Sequence, residues 1–176
     1  IGQKYNVKAN HYYYNNKTPK GNYEISKTDY DEGVEHVLKA NETLQRKPEK
    51  YMNLLARNWA QIKYSDAVFA ISTIKNNIVS GGTGWAVQMA IDVGKPIFVF
   101  DQNIGNWYSY NYNTKVWDVV DTPVLTKNFA GIGTRELNTK GKWAIEDIYA
   151  KTFIKDYKSS RVQQLDLFAN YYDTKP

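Results

Sequence analysis

Two glycine-rich segments of the sequence have the composition of an anion-binding site. The first is Gly81-Gly82-Thr83-Gly84, and the second is Gly131-Ile132-Gly133-Thr134-Arg135. Each follows an apolar run and precedes a helical pattern, so each would place free backbone N–H groups at the positive end of a helix dipole. Glycine lets a ligand approach closely, the Thr83 hydroxyl adds a donor, and Arg135 offers a bidentate contact with phosphate. We therefore expect both segments to bind phosphate or carboxylate groups.

A purely structural explanation of these glycines competes with the binding one. Either segment could be a tight connection that merely needs glycine. Two such segments, both after apolar strands and both containing threonine, favour binding. The first is not a Walker A loop, because no Gly-Lys-Ser/Thr follows, and the G-x-G-x-x-G spacing of the dinucleotide fingerprint is missing.

The apolar runs around the first glycine segment predict a βαβ unit. Residues 66–72 and 96–100 are short and nearly unbroken in apolar character, as expected of strands buried on both faces of a sheet. Between them, residues 85–93 predict a helix that Gly94 ends. The two strands would be parallel, with a right-handed connection. In open sheets of this kind ligands bind beyond the carboxyl ends of the strands, where both glycine segments lie.

The rest of the chain predicts further elements of an α/β fold. An opening strand is predicted over 5–9, and a helix capped by Asp29 or Asp31 is predicted to end near Leu44. Pro48 would open a second helix, whose apolar face consists of Met52, Leu55, Trp59 and Ile62. A further helix is predicted over about 142–157. The aromatic segment 101–121 is expected to form a loop or hairpin above the sheet. The pattern as a whole is typical of an open, mainly parallel sheet with helices on both faces. Residues 1–157 would form one domain, and 158–176 a C-terminal arm or tail.

Three side chains near the predicted strand ends could act on a bound molecule. Asp101 ends a strand, where a ribose-binding acid often lies in such folds, but it could equally cap the following turn. His11 precedes a run of tyrosines, and both a ligand contact and an exposed loop position stay open. Glu136 is the best candidate for a catalytic carboxylate, although it could instead pair with Arg135. If the protein is an enzyme, these three residues are its candidate catalytic groups.

Aromatic residues are the outlier of the composition, with 15 Tyr, 5 Trp and 6 Phe. Rings from several segments could form a wall for a nucleobase: Tyr12, Tyr13, Tyr14, Trp85, Trp107, Tyr108 and Tyr110. Stacking on such rings contributes about 1–3 kcal/mol per base in nucleic-acid complexes. The alternative is a subunit interface, where Tyr and Trp are also enriched. We expect a small-molecule nucleotide as ligand and a homo-oligomer as assembly, because the two interpretations are compatible.

The composition also argues against several classes of protein. The 176 residues carry a formal net charge of +5 without a concentrated basic run, so nucleic acid is not the expected partner. There is no cysteine, and His11 and His36 are the two histidines, so we expect no metal and no cofactor. The apolar runs are too short to span a membrane and no signal peptide is recognised, which favours a cytoplasmic protein. The sequence begins at Ile1 rather than Met, so a trimmed N-terminus stays open.

Residues 80–88 (Ser-Gly-Gly-Thr-Gly-Trp-Ala-Val-Gln) and 94–100 (Gly-Lys-Pro-Ile-Phe-Val-Phe) together resemble the SLOG superfamily. That group includes the LOG-type, or lysine decarboxylase-like, nucleotide phosphoribohydrolases and the DNA-processing A proteins. Residues 131–136 also resemble a glycine-Ser/Thr-Arg turn of the superfamily, which there usually lies near the N-terminus. The resemblance covers about 64–101 well and 128–153 loosely. It implies a Rossmann-like fold with a nucleotide pocket.

One position departs from that superfamily. The phosphoribohydrolases carry a glutamate seven residues after the first glycine of the turn, and this chain has Gln88 there. A glutamine does not exchange a proton as a carboxylate does, but it can hydrogen-bond a ribose hydroxyl or a base edge. Gln88 could also simply face solvent. The resemblance then implies that this chain keeps the nucleotide pocket of the superfamily but has lost the hydrolytic activity of the phosphoribohydrolases.

The whole chain also resembles uncharacterised proteins of tailed phages, in its Arg-Asn-Trp, Gly-Gly-Thr-Gly-Trp-Ala and Gly-Ile-Gly-Thr-Arg-Glu stretches. These implications favour a protein that sequesters a nucleotide-derived signal, of the ADP-ribose or cyclic ADP-ribose type, without turnover. If it is encoded by a phage, such a protein would act in the cytoplasm of the bacterial host as an anti-defence sponge, which binds the signal and so lowers its free concentration. The alternative is a nucleotide N-glycosidase like the phosphoribohydrolases that uses Glu136, Asp101 or His11. A nucleic-acid or protein interaction module is a third hypothesis.

Overall fold

The structure, a computed structural model, describes residues 1–157, so the predicted arm or tail at 158–176 lies outside the described residues. The strands are β1 (Tyr12–Tyr13), β2 (Tyr23–Glu24), β3 (Ala67–Ser72), β4 (Ile74–Lys75), β5 (Ile78–Val79), β6 (Ile97–Asp101), β7 (Asn106–Asn111), β8 (Val116–Val120) and β9 (Phe129–Ile132). The α-helices are α1 (Lys27–Leu44), α2 (Met52–Lys63), α3 (Gly81–Asp92) and α4 (Thr139–Phe153).

The main sheet has five strands in the order β8-β7-β6-β3-β9. β3 pairs in parallel with β6 on one side and with β9 on the other. All of β3 is buried, as its apolar run predicts. The predicted α/β fold with a mainly parallel sheet is confirmed, and the carboxyl ends of β3, β6 and β9 lie at one edge of the sheet.

Helices cover both faces of this sheet. On one face α1, α2 and α3 share a hydrophobic core that contains Val37, Trp59 and Val68. On the other face α4 contributes Ile148 to a second core with Phe69. Adjacent residues of β3 enter different cores because side chains of a strand alternate between its two faces. No helix within residues 1–157 has both the length and the apolar character needed to cross a membrane.

The aromatic segment at 101–121 lies within the sheet and not above it. β7 and β8 form the expected hairpin, but they add two antiparallel strands beside β6. Trp107 is buried against Phe100, with ring centroids 5.5 Å apart. Tyr110 packs edge-on against Trp117 at 5.1 Å. The expected position was wrong because the free edge of β6 offers backbone hydrogen-bond partners to the segment that follows it.

The strand predicted over 5–9 is also wrong. Gly2–Tyr5 forms a 3₁₀ helix, and the Tyr5 ring stacks on Tyr149 and Phe153 of α4, with ring centroids 5.8 and 5.7 Å apart. Alternation of apolar residues over so few positions does not form a strand without a neighbouring edge to pair with.

α1 and α4 begin at other residues than predicted. α1 begins at Lys27, and the Ser26 hydroxyl accepts a hydrogen bond of 3.0 Å from the Asp29 N–H, so capping by Asp29 or Asp31 is wrong. The predicted end of this helix near Leu44 is confirmed. α4 begins earlier than expected, at Thr139, because Asn138 caps it, and it also ends earlier, at Phe153, where Ile154 turns to extended backbone.

Asp29 instead belongs to a charge cluster that joins α1 to α2. Its buried carboxylate accepts hydrogen bonds from Lys63 at 2.8 Å and Tyr64 at 2.9 Å. Glu32 accepts from the same Lys63 ammonium at 2.8 Å. Burial opposes ionisation of Asp29, but the hydrogen bonds from Lys63 and Tyr64 outweigh it and lower the pKa of this carboxyl below its usual value. The cluster is therefore built around an ionised Asp29.

We expect Asp29→Asn to make the free energy of unfolding less dependent on pH in the acid range. A carboxyl whose pKa is lowered by folding contributes stability above its unfolded pKa of about 4, and that contribution is lost as the pH falls through the folded pKa. Urea unfolding at about pH 7 and about pH 3 measures it: the wild type should lose more free energy of unfolding than the variant. Asp31→Asn, at the exposed partner of Lys27, is the control and should follow the wild type. Equal losses in wild type and Asp29→Asn would contradict the cluster's role.

Candidate functional site

The carboxyl ends of β3 and β9 and the first turn of α3 border an open cleft of about 1010 Å³. Nine residues predicted from the sequence line it: Gly81, Gly82, Thr83, Trp85, Gly131, Gly133, Thr134, Arg135 and Glu136. The two glycine segments therefore face one space, at the edge of the sheet where the parallel strands end.

The first glycine segment is the first turn of α3, four residues earlier than the predicted helix start. The short β4–β5 hairpin leads to Ser80, which is extended at the N-cap, and Gly81 follows with φ +67°. Among residues 1–157, nothing accepts a hydrogen bond from the backbone N–H groups of Gly81, Gly82 or Thr83. Gly81 and Gly82 are exposed, with no heavy atom within 4 Å of where a Cβ would stand. A ligand can therefore reach the donors at the positive end of this helix.

The Thr83 hydroxyl connects the two glycine segments. It is buried and donates a hydrogen bond of 2.9 Å to the carbonyl of Gly133, which follows β9. Its proton is thus used inside the protein, and the predicted role of this hydroxyl as an extra ligand donor is not supported. Its position instead holds the start of α3 beside the end of β9.

A buried amide, Gln102, positions the segment after β9. Its Nε2 donates to the Glu136 carbonyl at 2.8 Å, and its Oε1 accepts from the Asn138 N–H at 3.0 Å. The Asn138 side chain returns a hydrogen bond to the Gln102 carbonyl at 3.1 Å and caps α4 at Gly141. Because Gln102 directly follows β6, this network fixes residues 133–138 at the carboxyl edge of the sheet.

The cleft has an excess of positive charge. Its basic side chains are Arg46, Lys47, Lys75 and Arg135, against one carboxylate, Glu136, among the described residues. Arg46 is held by the carbonyls of Gly81 at 2.8 Å and Val79 at 3.4 Å. None of the four basic groups forms an ion pair within residues 1–157. The arrangement suits an anionic ligand that brings its own negative charge.

A second wall of the cleft comes from α2 and the turn before it. It presents Tyr51, Leu54, Asn58 and Gln61. Each of these residues stands one position before a member of the apolar face of α2, namely Met52, Leu55, Trp59 and Ile62. The helical spacing that predicts the core face of α2 therefore also gives the positions of the four residues that line the cleft. Arg46, Lys47 and Lys75 had no comparable local signal, since they reach the cleft from the end of α1 and from the β4–β5 hairpin.

Asp101 lies outside the cleft and has a structural role. It is buried, and its carboxylate accepts hydrogen bonds from the N–H groups of Ile74 at 2.9 Å, Asn103 at 2.9 Å and Ile104 at 3.1 Å. It therefore caps the turn after β6 and ties this turn to β4. Of the two interpretations that the sequence allowed, the turn cap fits the structure and the ribose contact does not.

Gln88, His11 and Tyr13 do not line the cleft either. Gln88 is on the second turn of α3 and donates to Asp92 at 2.9 Å. Tyr13 belongs to the small β1–β2 ladder, which is separate from the main sheet, and His11 directly precedes it. The exposed His11 donates its backbone N–H to Asn22 at 2.7 Å. His11 and Tyr13 were expected at the edge of the sheet because of an opening strand over 5–9 that the structure does not contain, whereas Gln88 was expected there because of the SLOG resemblance.

The predicted aromatic wall is not formed either. Of its seven residues, Trp85 lines the cleft, but only 6% of its surface is exposed. Trp107, Tyr108 and Tyr110 lie on β7, outside the cleft lining. Tyr14 stacks on Tyr30 at 3.9 Å. The remaining tyrosines, Tyr12 and Tyr13, form β1.

Comparisons with known proteins add no relative. No protein-family model, curated protein or solved structure matches the chain. The resemblance to the SLOG superfamily thus rests on its motifs alone. The part of the chain that the structure describes contains no group of three or more His, Asp or Glu side chains that could hold a metal ion.

Replacement by alanine should destabilise the protein at Gly84 but not at Gly82. A Cβ at Gly84 would lie 2.1 Å from the Val79 carbonyl oxygen, so β5 or α3 must shift. We expect Gly84→Ala to lower the free energy of unfolding by about 2 kcal/mol or more. Gly82→Ala is the matched control: it meets open space in the same helical turn and should change stability by no more than about 0.5 kcal/mol. Urea unfolding followed by tryptophan fluorescence measures both, and similar midpoints for the two variants would contradict the packing role of Gly84.

Proposed function

We propose that the protein binds a nucleotide or nucleotide-derived anion in the cleft, of the ADP-ribose or cyclic ADP-ribose type, and holds it without turnover. One observation carries this proposal. Free backbone N–H groups at the start of α3 and four basic side chains surround the same space, in which Glu136 is the one carboxylate among the described residues. Negatively charged oxygens are the ligand atoms that this set of donors recognises.

The volume of the cleft supports a ligand larger than a single phosphate. About 1010 Å³ is at the upper end of the range for small-molecule sites. Basic side chains approach from different elements, with Arg46 following α1 and Arg135 following β9. A molecule with more than one anionic group, such as a nucleoside diphosphate or its sugar ester, can contact both sides.

The distribution of carboxylates supports retention over cleavage. Glycoside hydrolases, which cleave bonds between sugars, ordinarily use two carboxylic residues, one as acid and the other as nucleophile or base. Glu136 is placed in the cleft, whereas Asp101 is buried and hydrogen-bonded elsewhere. Position 88 is occupied by glutamine and lies off the cleft. A single carboxylate leaves the described part of the site without the usual pair.

Retention of a signalling nucleotide would lower its free concentration in the cell. In a phage protein, as the resemblance implies, such capture in the cytoplasm of the bacterial host would weaken an immune response that depends on the signal. We further propose that the chain forms a homo-oligomer. Val116 and Val119 on the edge strand β8 are exposed, and an exposed edge strand with apolar residues favours self-association.

Capture predicts that a bound nucleotide is recovered intact. We expect protein incubated with ADP-ribose, washed and then denatured to release unchanged ADP-ribose on chromatography. Native mass spectrometry of the same sample counts ligands and subunits together. Arg135→Gln should weaken binding about tenfold or more, since it removes a charged hydrogen-bond donor from the cleft.

Lys39→Gln is the matched control for that variant, because Lys39 is an exposed cation on α1 outside the cleft. It should bind like the wild type. Release of free base or ribose phosphate in place of intact ligand would overturn the capture proposal.

Glu136 supports one alternative, a nucleotide N-glycosidase. Its position in the cleft is the observation that favours it. For such an enzyme Glu136→Gln should reduce the rate of product release by about 100-fold or more and leave binding in place. For a capture protein the same variant should return as much intact ADP-ribose as the wild type. Glu146→Gln, at an exposed position of α4, is the control in the same chromatographic assay.

A further inference from the structure

The α2 wall of the cleft differs in character from the rest of its lining. Tyr51, Leu54, Asn58 and Gln61 carry no charge, whereas the basic groups come from other elements. Tyr51 and Leu54 supply apolar surface at one end of this stripe, and Asn58 and Gln61 supply amides at the other. A neutral wall of this composition fits a neutral, flat ligand group with polar edges.

Tyr51 has the properties of an open stacking surface. Half of its surface is exposed, and its hydroxyl has no hydrogen-bond partner within residues 1–157. No other aromatic ring of the described chain packs on it. The Lys50 ammonium lies 5.5 Å from the ring centroid, and Lys50 lines a smaller neighbouring cavity of about 330 Å³ but not the large cleft. Tyr51 and Leu54 line both cavities, so space adjoins them on more than one side.

Asn58 and Gln61 are half-buried amides without a partner. Within the described residues neither side chain makes a hydrogen bond, and their polar atoms are accessible from the cleft that both residues line. Each amide offers both donors and an acceptor. Their spacing of three residues on α2 places them on the same side of the helix, both toward the cleft.

We propose that this stripe is the nucleobase subsite and that the base is a purine. Tyr51 and Leu54 lie against the plane of the base, while Asn58 and Gln61 pair with its edge. Asparagine and glutamine amides match the adjacent donor and acceptor of adenine N6 and N7, and the larger purine rings cover more of the Tyr51 ring. This inference rests on the proposed capture of a nucleotide and specifies which part of that nucleotide α2 recognises.

AMP and ribose 5-phosphate test the subsite because they differ by the base alone. By calorimetric titration, we expect the wild type to bind AMP at least about tenfold more tightly than ribose 5-phosphate, and more tightly than UMP. Tyr51→Ala should weaken AMP binding about five- to a hundredfold and leave ribose 5-phosphate within about twofold. Tyr51→Phe keeps the ring and should bind AMP like the wild type. Asn58→Ala should reduce the preference for AMP over UMP.

Tyr23→Ala is the control, since Tyr23 is similarly exposed but lines neither cavity. It should bind AMP like the wild type. Equal affinity of the wild type for AMP and ribose 5-phosphate would overturn the base subsite and leave anion capture standing, and this comparison needs no variant. A wild type that binds none of AMP, ribose 5-phosphate and ADP-ribose would overturn the capture proposal together with the subsite.

Discussion

The hydrogen bond from the Thr83 hydroxyl to the Gly133 carbonyl is the contact on which the cleft depends. It holds the start of α3 beside the end of β9, so that the free N–H groups of the helix and the Arg135 side chain face the same space. Gly84 allows this position of α3, because the missing Cβ lets the helix approach the Val79 carbonyl closely. The donors are therefore fixed before a ligand arrives, and their orientation costs little when it binds.

Local signals determined which parts of the fold could be predicted. β3 and β6 were recognisable from apolar runs buried on both faces, and the end of α3 from Gly94, which has φ +72°. The pairing of β7 with β6 depends on a free sheet edge, and the 3₁₀ turn at Tyr5 on rings of α4. The rings of α4 are distant in sequence from Tyr5, and whether the edge of β6 is free depends on the strand order of the whole sheet, so the sequence pattern predicted other positions for both segments.

The candidate site likewise contains residues that have a local sequence signal and residues that have none. Glycines at the start of α3 create backbone donors by local geometry alone, so the first glycine segment could be found from the sequence. The second was expected at a helix start as well, and that was wrong, because Gly131 lies in β9 and α4 begins only at Thr139. Arg46 and Lys75 meet them only because α1 and the β4–β5 hairpin pack beside α3. The residues of the α2 wall, Asn58 among them, recur at helical spacing in the sequence, but a polar stripe next to the core face of a helix ordinarily faces water. Its significance depends on the cleft that the other elements close around it.

The two walls of the cleft together limit what the ligand can be. A simple polyanion would satisfy the basic groups but would make no use of the amides of Asn58 and Gln61, which face the same cleft. A free base would satisfy α2 but leave four cations without a counter-charge. The proposed nucleotide would satisfy both walls at once, with its phosphates at the glycine segments and its base on α2. Glu136 is the one carboxylate of the cleft among the described residues, whereas glycoside hydrolases ordinarily use two, and this is the reason for proposing capture of the nucleotide over its cleavage.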